Sequence, residues 1–60
     1  MYKVELFEQE KVLRNKELED YDSTFSYLET IIKELGANRK IIVHEKRGST
    51  WVKFGEWKLQ

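Results

Sequence analysis

Sixty residues without a cysteine make one small domain, with no disulfide and no thiolate metal site to reinforce it. Acidic and basic side chains balance at eleven each, which argues against a dedicated nucleic-acid binder, while 40% hydrophobic residues argue against a disordered tail. The chain has neither an apolar run of about eighteen residues nor a signal-peptide core, so it is expected to span no membrane and to be cytoplasmic.

The first element expected is a strand, because Tyr2, Val4 and Leu6 alternate with Lys3, Glu5 and Phe7. Val4 and Leu6 form its inner side. A turn at Gln9-Glu10 leads into residues 11–19, whose apolar positions fit neither the helical nor the strand period over any length. We read this segment as an edge strand guarded by charge, with a short exposed helix as the alternative.

An amphipathic helix follows from Ser23 to Leu35. Its apolar stripe is Phe25, Leu28, Ile32 and Leu35, widened by Ile31. Asp22 or Ser23 is expected to cap it, Asp20 and Asp22 suit the positive end of its dipole, and Gly36 to stop it.

The last element is a β-hairpin with strands Lys40 to Lys46 and Thr50 to Leu59 around a turn at Arg47-Gly48. A turn centred there places Val43 opposite Val52 and Ile41 opposite Phe54. It assigns Ile41, Val43, Val52 and Phe54 to the core under the helix. The other side then displays Ile42, His44, Lys46, Trp51, Lys53, Gly55, Trp57 and Leu59. A register one residue away would exchange the two sides and bury the tryptophans. Gly55 suggests a bulge or a close approach, and Trp57 could cover the gap beside it.

The expected architecture is α+β, in the order β-β-α-β-β, with a four-stranded mixed sheet and one helix across one face. The first and last strands are expected to be central and parallel. In order and size of elements the chain resembles the small β-grasp folds, among them the immunoglobulin-binding domain of protein G. The resemblance is one of plan without a shared motif, so it implies no antibody binding.

Charge divides along the chain. Residues 1–38 hold five basic and nine acidic groups, a net of −4, and residues 39–60 hold six basic and two acidic groups, a net of +4. The halves can attract each other within the fold, or the basic end can meet an acidic partner.

Chemistry has little to work with. The single histidine, His44, lacks an obvious orienting group, and Ser49 and Thr50 lie nearer the turn, so no catalytic residue, cofactor site or metal site is expected. Glu45 and Glu56 alone are weak metal co-ligands. The chain is read as a non-enzymatic binding protein. Its partner surface is the aromatic sheet face with Ile42, His44, Trp51, Lys53 and Trp57, flanked by Phe7 and Leu59. This surface would serve homodimerisation or the docking and modulation of a larger protein. The alternative is single-stranded nucleic acid, stacked on the two tryptophans and contacted by Lys46, Arg47, Lys53 and Lys58.

Overall fold

The computed structural model describes residues 1–35 and 39–59, the side chains of Leu35 and Leu59 excepted. The elements are β1 (Tyr2–Glu8), β2 (Lys11–Leu18), α1 (Tyr21–Leu35), β3 (Arg39–Arg47) and β4 (Thr50–Leu59). The α+β plan holds, and residues 11–18 form a strand rather than a helix. The four strands make one sheet in the order β2-β1-β3-β4, every neighbouring pair antiparallel.

This corrects the expected mixed sheet with parallel terminal strands. β1 pairs with β3, Val4 facing Val43 and Leu6 facing Ile41, while β4 lies at the edge. The composition of the two strands agrees with this arrangement. β3 offers apolar residues to both sides, Ile41 and Val43 on one and Ile42 on the other, as an interior strand needs. β4 carries Gly55 and a bulge, both of which suit an edge.

β2 and β3 run in the same direction on either side of β1, so α1, which joins them, crosses over β1. A helix is about 10 Å wide and strands lie about 4.8 Å apart, so one helix covers roughly two strands. Accordingly α1 packs chiefly on β1 and β2. The core beneath it consists of Val4, Leu6, Leu28, Ile31, Ile41 and Val43, with Tyr2, Leu18 and Tyr27 packed around it.

The helix begins two residues earlier than expected, and Asp20 caps it: the Ser23 amide donates to Asp20 Oδ1 at 2.7 Å. This bond holds the Asp20 carboxyl below its ordinary value. The buried flank also differs from the expected stripe. Thr24, Leu28 and Ile31 point into the core, whereas Phe25 and Ile32 are exposed. Thr24 tolerates burial because its hydroxyl donates to the Asp20 carbonyl at 2.7 Å. The expected stop at Gly36 lies outside the described residues.

Both hairpins turn on two residues, and in each the first has positive φ: Gln9 at 59° and Gly48 at 63°. The second turn is thus Gly48-Ser49, one residue later than expected, so Arg47 faces Thr50 and Glu45 faces Val52. The resulting slip is two residues, which leaves the sides of the strand unchanged. A bulge then intervenes. His44 faces Lys53 but Val43 faces Gly55, so Phe54 is the extra residue, and beyond it the alternation reverses.

Candidate functional site

The register distributes the expected partner-binding residues over two surfaces. Ile42, His44, Trp51 and Lys53 share the outer side of the sheet, away from the helix, as expected. Trp57 does not join them: it faces Ile41 and lies on the helix side, and Gly55, opposite Val43, lies there too. The bulge at Phe54 is the physical cause. Of Leu59 only the backbone, opposite Arg39, is described.

The outer side is a surface of paired groups. Lys3 Nζ stands 4.8 Å from the centre of the Trp51 ring and Lys46 Nζ 5.8 Å from it, while Lys40 Nζ lies 5.2 Å from that of Phe7. His44 Nε2 and Glu5 Oε1 are 2.5 Å apart, and Lys53 Nζ and Glu56 Oε1 are also 2.5 Å apart. The Lys53 bond keeps the Glu56 carboxyl below its ordinary value. The lysine stems and ion pairs leave Trp51, Ile42 and Phe7 half-buried. Part of the charge division is answered internally, since Glu8 meets Arg39 at 3.5 Å across β1 and β3.

Of the residues expected to contact phosphates, Lys46 lies over Trp51, Lys53 is bonded to Glu56, and Arg47 Nε donates to Glu45 Oε1 at 3.0 Å. Lys58 faces Lys40 on the outer side. The two tryptophans do not form one stacking platform, because the sheet separates them.

Glu5 supplies the orienting carboxylate for His44 that the sequence pattern did not reveal. A nucleophile is not beside it: Thr50 faces Arg47 on the helix side, and Ser49 lies in the turn. Among the described residues no three His, Asp or Glu side chains gather as metal ligands, and no helix is long and apolar enough to cross a membrane.

A concave apolar feature lies on the other side, between α1 and β4. Tyr2, Tyr21, Thr24, Phe25, Leu28, Val43, Phe54 and Trp57 line this groove. The Tyr2 ring lies 5.5 Å from that of Phe54 and 6.1 Å from that of Tyr21, both edge to face. Tyr21 continues the cluster to Phe25 at 5.9 Å and to Phe54 at 6.3 Å. At the far end the Trp57 ring folds back over Gly55; a Cβ there would lie 2.8 Å from the ring's tip. Gly55, opposite Val43, thus serves both as part of the bulge and as the place where the indole rests.

The walls of this groove stay open to solvent. Phe25 is 50% exposed, Phe54 48%, Trp57 42% and Val52, beside them, 40%. The sequence placed Phe54 and Val52 on the correct side of the sheet, yet they are not core, because the helix does not reach them. Tyr2, Tyr21 and Phe25 were not foreseen as site residues. The signal for them was the breadth of the apolar helix surface, Tyr21, Phe25, Leu28, Ile31 and Ile32, which exceeds what one contact can bury.

Comparison of the chain with protein-family models, with curated proteins and with solved structures finds no match. Its function is therefore argued from this geometry alone.

Proposed function

We propose that the protein is a non-catalytic binding module that acts through protein–protein contact, with the groove between α1 and β4 as its docking surface. The observation that carries this reading is the exposed cluster of Tyr21, Phe25, Phe54 and Trp57 along a sheet edge. Contiguous exposed aromatic surface is uncommon on monomers, and tryptophan and tyrosine dominate the energetics of protein interfaces. The cluster bears no lysine or arginine among its lining residues, so it suits an apolar protein surface better than a phosphate backbone. The site thus moves from the outer side, where Trp51 is already capped by lysines, to the helix side.

A photo-crosslinking amino acid at position 25, in the groove, compared with one at position 15, on the outer side, tests the proposal in cells. Protein adducts are expected from position 25 and not from position 15. Adducts confined to position 15, or nucleic-acid adducts from either, would contradict it.

A further inference from the structure

Given a protein-docking groove, as proposed above, we infer that its occupant is a second copy of the chain, joined antiparallel along the β4 edge about a two-fold axis.

The two edges of the sheet differ in how they are protected. β2 presents Arg14, Lys16 and the half-buried Leu18 on the helix side and Val12, Asn15 and Glu17 on the outer side, so charge stands on both its surfaces beside the exposed Val12 and Leu13. β4, ten residues long, presents Val52, Phe54, Gly55 and Trp57 on the helix side, without a charge among them. Among the described residues no strand pairs with its outer edge. Its charges, Lys53, Glu56 and Lys58, lie on the outer side alone, and an edge of this length is a template for another strand, for which an isologous pair is the simplest closed solution.

The bulge makes β4 complementary to itself. Thr50, Val52 and Phe54 point to the helix side and Trp51 and Lys53 outward; past the bulge Gly55 and Trp57 point to the helix side and Glu56 and Lys58 outward. This pattern is symmetric about the Phe54-Gly55 bond. In an unbulged strand, residues related in this way would lie on opposite sides of the sheet and could not face each other.

A two-fold axis at that bond sets Lys53 opposite Glu56 of the second copy, twice over. It sets Trp51 opposite Lys58, Val52 opposite Trp57, and Phe54 opposite Gly55. Opposite charges meet, a cation meets an indole, and apolar meets apolar. The Lys53–Glu56 pair within each chain becomes part of a four-charge cluster on the axis. The two grooves adjoin on one side of an eight-stranded sheet and cover each other's exposed aromatics.

Charge reversal tests this directly, because both positions are at the surface and the variants should fold. Sedimentation equilibrium of the wild-type chain over a concentration series should show a dimer. Lys53→Glu and Glu56→Lys should each raise the dissociation constant about tenfold or more by opposing like charges twice. An equimolar mixture of the two variants should restore association as a one-to-one heterodimer, and so should the doubly reversed chain. Circular dichroism on each sample confirms the fold. A wild-type chain that stays monomeric, or a dimer indifferent to both reversals, overturns the inference. Groove adducts with another protein from a monomeric chain would remove the second copy while leaving the docking surface in place. Loss of both would remove the docking surface as well.

Discussion

The helix side of the sheet has two halves, built from similar residues and treated differently. On β1 and β3, Val4, Leu6, Ile41 and Val43 are buried, whereas on β4, Val52 and Phe54 remain exposed although they point the same way. Hydrophobicity does not distinguish them. Distance from the crossover does: α1 passes over β1, and its width is spent before it reaches the fourth strand. A side chain's fate in so small a domain is thus set by where the single helix lies. The uncovered half is left exposed to solvent.

Substitutions can break this contrast. Ile41→Ala, in the covered half, is expected to cost about 2–5 kcal/mol in urea denaturation, most of the stability such a small domain has. Phe54→Ala, in the uncovered half, should cost about 1 kcal/mol when measured under monomeric conditions. Equal costs would mean that the helix covers both halves.

Gly55→Ala sharpens the boundary between them. The new Cβ would displace the Trp57 ring from over position 55, which the half-exposed indole can accommodate by swinging outward. A loss of about 1 kcal/mol with a red shift in tryptophan emission is expected, and an unchanged spectrum would contradict the contact.

Acid should act on the helix start. Asp20 has a lowered carboxyl pKa because it accepts the Ser23 amide, so its contribution is complete above the ordinary carboxylate value of 3.8 and lost as pH falls through the lowered value. Asp20→Asn should flatten the acid limb of a melting-temperature profile. Asp20→Ala should also lower the plateau by several degrees.

The smallest effect lies outside both halves. Gln9 adopts the left-handed conformation at φ 59°, and Gln9→Gly should raise stability by about 0.5 kcal/mol, the relief of strain exceeding the added freedom of the unfolded chain. Thermal denaturation of the pair would read this.

Local patterns in the sequence reached some features and missed others for definable reasons. The alternation of Tyr2, Val4 and Leu6 and the pair Ile41 and Val43 marked core positions, because burial on one side imposes a period of two. The neighbour of β1 was not written locally, since β3 and β4 both alternate and only long-range packing chooses between them. The hairpin turn moved by one residue without harm, but the bulge at Phe54 reversed everything after it, so Trp51 was placed correctly and Trp57 was not. Gly55 signalled the bulge without saying which residue it would add. On the helix, Thr24 displaced Phe25 from the core because a hydrogen bond to Asp20 made a polar residue acceptable there, something an apolar stripe cannot show.

Trp57 decides the matter most directly. In a Trp51→Phe chain it is the sole tryptophan, and its emission can be recorded over a concentration series on samples whose mass is measured by sedimentation. Red-shifted, quencher-accessible emission from the monomer that moves to the blue as the dimer forms is the expected result. Emission already blue at the lowest concentration, or unchanged while the mass doubles, would contradict a groove left open by the helix and closed by a second copy.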